Sequence, residues 1–335
     1  MSIRWRPMRS TDVERCVRFT AANPVLRLRY GTAISQLAQV WLNLLGRHCF
    51  GAVITEDVSN SRPRMLAVSA AAFVAASFVE ELKNPPSFWI AAEFVTRFSG
   101  GRSPFLSDND VRQANSSTGL NLVVWQNGVL PGEMGKPEVP HAVMGAFIEN
   151  YRGFRVNEVC NQAESIEDLV GLRAMGARFF DISTSRWTDI PVENARNVLS
   201  EPHVVGLKPE SLGDRISYAG LIFLYEPPRF GFSRSEQRLL LNARGGGSDE
   251  ELRGVLGISL SAVKKTWRKV YERVEDHSPD LLPNHLSPDL GTAVERGKEK
   301  RRRLIAYLRE HPEELRPLSL KLLRNSTGLL APAKK

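Results

Sequence analysis

Apolar residues recur at helical spacing between Ser233 and Asp276, the most regular stretch of the chain. Ser233 lies three residues before Glu236, and Ser248 three before Glu251. In such S-x-x-E boxes the serine accepts from an orphan backbone N–H while the glutamate reaches back to the cap. They predict helices over about 234–243 and 249–256. Gly245, Gly246 and Gly247 end the first and Gly257 ends the second, because glycine readily takes the positive φ that closes a helix. Ser259 then caps a third helix, running to about Asp276 before Ser278 and Pro279 stop it. Val263, Trp267, Val270 and Val274 form one apolar stripe on it. With Leu239, Leu240, Leu252, Leu256 and Ile258 they predict a small trihelical core.

Upstream, the pattern alternates between strand and helix periods, which predicts an α/β domain. Residues 3–8 alternate as a strand, and Ser10-Thr11-Asp12 caps a helix to about Ala22. A second helix is expected over 31–45, and strands over 49–55 and 64–74. Residues 88–98 fit helix or strand, and 99–117 are polar and glycine-rich, hence a loop. Leu120 to Trp125 is an apolar run, with Asn127-Gly128 as a turn signal. Three prolines make 131–141 a surface loop. Helices are expected at 155–163 and 165–175, and strands at 177–182 and 219–225. Pro227-Pro228 punctuates a linker near 226–232.

Charge changes the picture at the third C-terminal helix. Ser261, Lys264, Lys265, Arg268, Lys269 and Arg273 fall off its apolar stripe, and only Glu272 opposes them before residue 275. A solvated lysine-rich face is the blander reading. A basic helix that follows a short helix and a tight turn is also how a recognition helix enters the major groove. The segment 232–274 resembles the LuxR-type (GerE-like) helix-turn-helix of bacterial regulators. The correspondence runs through Ser233, Glu236, Leu239, Leu240, Gly246, Ser248, Glu251, Leu256-Gly257-Ile258-Ser259, Val263-Lys264 and Val270-Tyr271. It implies DNA contact by Lys264, Lys265 and Arg268 on base edges or phosphates, by Lys269 and Arg273 mainly on phosphates, and by Ser259 and Ser261 at the helix start. Dimerisation is implied too, since paired half-sites multiply affinity.

Composition sets wider bounds. The 335 residues allow two domains, 42% of them are apolar, and the net charge is +8. A pI near 9.6 favours polyanion partners. The run RGKEKRRR at 296–303 adds a second basic stretch, an extra phosphate contact or a solvated helix face. Cys16, Cys49 and Cys160 are odd in number and widely spaced, so neither a disulfide framework nor a zinc site is expected. The apolar stretch 65–79 falls short of the ~20 residues that cross a bilayer, and MSIRWRPMRS is basic without a following apolar run. A cytoplasmic protein follows. Leu304, Tyr307 and Leu308, then Leu315, Leu318, Leu322 and Leu323, make the C-terminal stretch amphipathic.

Pieces of the N-terminal part are also similar to acyl-CoA-dependent N-acetyltransferases of the GNAT type. IRWRPMRSTDVERC resembles that family's first strand and helix, Tyr151-Arg152-Gly153 its cofactor loop, and ARFF a later strand. Other catalytic signals are sparse. The histidines form no H-E-x-x-H pair, and neither a G-x-S-x-G elbow nor a phosphate-binding G-x-x-x-x-G-K-[ST] occurs. Asp108, Asp110 and Glu133 lie in expected loops, where solvated carboxylates are the default.

The sequence thus predicts an α+β or α/β domain over 1–226, a small all-α helix-turn-helix domain over 232–278, and a basic amphipathic helical tail over 279–335. The expected function is a DNA-binding transcriptional regulator, with no enzymatic activity, cofactor or metal. Its expected partners are double-stranded DNA, a second copy of the chain and a small-molecule effector sensed by the N-terminal domain, with no membrane. The alternative is a GNAT-like N-acyltransferase fused to a DNA-binding module.

Overall fold

A computed structural model describes residues 1–84, 88–163, 172–173, 176–181, 184–189, 204–212, 218–244, 247–282 and 293–319. The chain divides into two compact units, 1–224 and 225–335.

In the first unit the described strands form one sheet of order β1-β2-β3-β4-β5-β8-β6-β7. They are β1 (Ile3–Pro7), β2 (Phe50–Asp57), β3 (Arg64–Val74), β4 (Leu120–Val129), β5 (Val156–Gln162), β6 (Arg178–Asp181), β7 (Arg186–Thr188) and β8 (Val204–Leu207). Helices α1 (Val13–Ala22), α2 (Pro24–Tyr30) and α3 (Leu37–Leu44) connect β1 to β2. Helices α4 (Ala76–Leu82), α5 (Ile90–Ser99) and α6 (Asp108–Asn115) connect β3 to β4, and α7 (Glu138–Tyr151) connects β4 to β5. A short helix α8 (Pro209–Leu212) and a 3-10 turn (Tyr218–Phe223) follow β8.

Neighbouring strands pair antiparallel except β4 and β5, which run parallel. That parallel pair requires a crossover, and α7 supplies it. β3 is buried almost throughout, as MLAVSAAAFV between helical layers must be. Two buried polar side chains tie the sheet to its surroundings. Gln126 accepts from the Tyr30 hydroxyl at 2.5 Å and donates to Thr20 Oγ1 at 3.2 Å and to the Val68 carbonyl at 3.3 Å. Tyr151 Oη donates to the carbonyls of Gly51 and Ala71, at 3.0 and 2.7 Å. Cys16, Cys49 and Cys160 are buried free thiols.

Several expected elements differ. Residues 131–141 contain the start of α7, because Pro137 and Pro140 fall where helical N–H groups have no intrahelical partner. Asn127-Gly128 is no turn, since both residues pair with β3, opposite Ser69 and Val68. Residues 156–162 are a strand rather than a helix, and 218–223 a 3-10 turn rather than a strand. The expected loop 99–117 holds α6, capped by Ser107, whose Oγ accepts from Asp110 N at 3.2 Å. The helix expected over 165–175 lies largely outside the described residues.

The second unit is helical: α9 (Arg234–Ala243), α10 (Asp249–Leu256), α11 (Leu260–His277) and α12 (Ala293–Glu310), then a 3-10 turn (Pro312–Leu315). Both serine–glutamate boxes are formed, and Gly257 closes α10 at φ +66°. Leu239, Leu240, Leu252, Leu256, Val263, Trp267, Val270 and Val274 share a core with Leu304, Leu308 and Leu315. Ile258, expected inside it, is exposed. Gly245, Gly246, Leu322 and Leu323 lie outside the described residues. Ser248→Ala should lower the stability of this unit by about 1 kcal/mol, since Ser248 Oγ accepts from Glu251 N at 3.2 Å. Urea titration followed by helical circular dichroism checks this, and no change would show the cap to be idle. Among the described residues, no helix is long and apolar enough to cross a membrane.

Candidate functional site

β4 departs from a regular strand at one residue. Its register against β3 passes from Ala70↔Gln126 to Ala71↔Val124, so Trp125 is an extra residue, a bulge. On its other side β4 pairs with β5 from Leu120↔Val156 to Val123↔Cys160. Beyond that point the carboxyl halves of the two parallel strands part. The crevice outside the carboxyl ends of parallel strands is where α/β sheets place their ligands.

A narrow slot of about 70 Å³ occupies this crevice. Its walls are Val124 of β4, Val143, Met144, Phe147 and Ile148 of α7, Val159 of β5, Val205 and Leu207 of β8, and Leu172, Ala177, Ala219 and Ile222. The side-chain amides of Asn127 and Asn161 also line it.

The turn 130–137 joins β4 to the N-terminus of α7. Gly132 takes φ +83°, and a Cβ added at Gly132 or Gly135 would meet nothing within 4 Å. Backbone there is open to a ligand, as at a helix N-terminus that receives an anion. Charge qualifies this. Glu133, 6% exposed, pairs with Lys136 at 2.9 Å and with Arg64. The Lys136 ammonium, then the Arg64 guanidinium, hold its carboxyl below the usual range. The similarity seen at Tyr151-Arg152-Gly153 is misplaced. Gly153, φ +83°, follows the end of α7 and leads into β5, so it opens no helix. Gly132 and Gly135 hold the position before a helix that such a loop needs.

The expected DNA-contacting residues lie on α11. Ser261, Lys264, Lys265, Arg268 and Lys269 are exposed there. Ser259 Oγ accepts from Ala262 N at 3.2 Å and is within 3.0 Å of Ser261 Oγ, so it serves as the helix cap. Arg268 pairs with Glu272 at 2.8 Å. Arg273 is drawn inward to the buried Glu236 at 3.2 Å, which takes it off the free face. A groove along α11 carries Lys265, Lys269 and Arg273 beside Glu272 and Asp276. Elsewhere in this unit Glu226, His311 and Glu313 bring donor atoms within 4.8 Å of one another, with His311 Nδ1 already 2.8 Å from Glu313 Oε1.

No protein-family profile matches the chain, and no curated protein sequence matches it. Solved structures overlap its first two-thirds. An uncharacterised protein of Bacillus halodurans is 7% identical, covers 66% of this chain and 92% of its own, and superposes with a TM-score of 0.36. A polyamine N-acetyltransferase of Drosophila melanogaster is 12% identical over 62% of this chain and 100% of its own, at 0.34. A GNAT-like decarboxylase in complex with isobutyryl-CoA is 12% identical over 61% and 98%, at 0.33. The acetyltransferases among these neighbours go against the expectation of a DNA-binding transcriptional regulator without enzymatic activity.

Proposed function

We propose that residues 1–224 form an acyl-CoA-dependent acyltransferase unit of the GNAT-like kind, which moves an acyl group from coenzyme A to an amine. One observation carries this reading: the β4–β5 pairing ends at Val123 and Cys160, just before the Trp125 bulge, and β4 then leads to a glycine-bearing turn and the start of α7. When bound, acyl-coenzyme A supplies the activated thioester. The chain's own contribution is to bind, orient and dry it.

The residues present fit that ligand. A strand that leaves its neighbour can pair with an extended arm as with an added strand. Val124, Val143 and Phe147 offer apolar walls for the pantetheine chain, and the amides of Asn127 and Asn161 can each donate and accept toward its two amide groups. At about 70 Å³ the slot is smaller than the arm, so entry requires lining side chains to swing aside. Met144, unbranched and flexible, is suited to that.

Calorimetric titration of the full chain with acetyl-CoA tests the proposal. Saturable one-to-one binding is expected, and Val143→Trp, which fills the slot, should remove it while the far-ultraviolet spectrum stays native. A wild-type chain that takes up no heat from millimolar acetyl-CoA would overturn the reading.

A further inference from the structure

Two aromatic rings at the rim of the slot have no part in the acyl-transfer reading. His141 lies early in α7, and Tyr218 opens the 3-10 turn after β8. Their rings are parallel within 9°, with centroids 5.8 Å apart. Both residues are exposed, Tyr218 by 48%. They are tied to the slot through the chain itself. Met144, three residues after His141, and Ala219, next to Tyr218, both line it. The Tyr218 hydroxyl packs over Gly145, where an added Cβ would stand 3.4 Å away.

The start of α7 is a poor phosphate site by its own chemistry. Pro137 and Pro140 lack N–H groups. Glu138 brings negative charge to the first turn, where the helix dipole already favours it over a free anion. Arg64 and Lys136 are committed to Glu133. Recognition of the nucleotide end of an acyl-CoA therefore has to come from elsewhere on the rim. Flat aromatic faces beside an apolar slot suit a heteroaromatic base, because every base has a π face and stacking tolerates its identity.

We propose that the His141–Tyr218 pair is the stacking platform for the adenine end of the acyl-CoA. This rests on the acyl-CoA reading above.

Calorimetry on the full chain separates the possibilities, with acetyl-CoA and with S-acetylpantetheine, which lacks the nucleotide, as competitor. Tyr218→Ala and His141→Ala should each weaken acetyl-CoA about tenfold, the loss expected of one stacked base, and leave acetylpantetheine unchanged. Tyr218→Phe keeps the ring and should bind as wild type. The proposal is overturned if either alanine variant binds acetyl-CoA as tightly as wild type, or weakens both ligands equally. A wild-type chain that binds neither ligand overturns the acyl-CoA reading and this platform with it. Normal wild-type binding with unaffected variants overturns the platform alone.

Discussion

Trp125→Ala is expected to cost the sheet unit about 3–5 kcal/mol, the range for truncating a large buried aromatic. Trp125 is 2% exposed and is the extra residue of the β4 bulge. Its indole meets Trp41 and Phe50 edge-on at 6.2 and 5.7 Å, and Phe94 at 5.0 Å. It stacks on Phe105 at 5.5 Å. These rings come from α3, β2, α5 and the segment before α6, so one substitution opens a cavity that four parts of the chain would have to collapse to fill. Without the ring nothing rewards the two-against-one register at Ala70 and Ala71. Acetyl-CoA binding should therefore weaken in the same variant, even below the denaturation midpoint. Trp125→Phe keeps a ring on Phe105 and should recover most of both losses. Urea unfolding followed by far-ultraviolet circular dichroism gives the first quantity and calorimetry the second. A cost below about 1 kcal/mol, with binding intact, would show that the bulge is held by something other than this ring.

The same bulge explains what the sequence could and could not show. Local signals were readable: residues 3–8, the pair 49–55 and 64–74, and the serine-capped helices of the second unit follow from alternation and capping chemistry. Three misreadings hid the crevice. Pro137 and Pro140 suggested a loop, yet both sit in the turn where a helix tolerates proline. VNEVCNQ suggested a helix because a strand covered on both faces loses clean alternation; Val156, Glu158, Val159, Cys160 and Gln162 are all buried. Asn127-Gly128 looked like a turn but lies inside β4, where a Cβ at Gly128 would come within 2.6 Å of Leu26 Cδ1. Without α7 and β5 in place, local spacing points to Gly153 for the glycine turn, whereas Gly132 and Gly135 are the glycines that precede a helix. The pairing of β4 with β5 and its end at Val123 and Cys160 join distant segments, and no local spacing encodes them. The cations of α11 were legible as a surface. The pairing of Arg268 with Glu272 is local to the helix, whereas the inward turn of Arg273 to Glu236 is a tertiary fact.

The second unit should lose about 3 kcal/mol of stability between pH 4.5 and 7 through one carboxyl. Glu314 is 1% exposed and accepts from the backbone N–H groups of Arg229 at 2.7 Å and Phe230 at 3.1 Å. Burial pushes its carboxyl from the ordinary 4.5 up to about 7, against the pull of those two N–H groups. Other groups face it from each packed segment: Arg229 before α9, Tyr307 of α12 with Oη at 3.4 Å, and the His311–Glu313 pair of the last turn. Below pH 4.5 the group is protonated in folded and unfolded chains alike, and its contribution is fully present. As pH rises, the unfolded chain ionises first and gains free energy that the folded one does not. The loss is complete once pH passes the folded value near 7. Glu314→Gln holds the site neutral at every pH, but its amide nitrogen can no longer accept from one of the two N–H groups. The variant should therefore be about 1–2 kcal/mol less stable than wild type at pH 4.5, nearly level at pH 6, and more stable at pH 8. Groups that titrate elsewhere affect both proteins equally, so the crossing of the two curves isolates Glu314. Parallel stability–pH curves for the two proteins would show that this carboxyl titrates alike in the folded and unfolded chain.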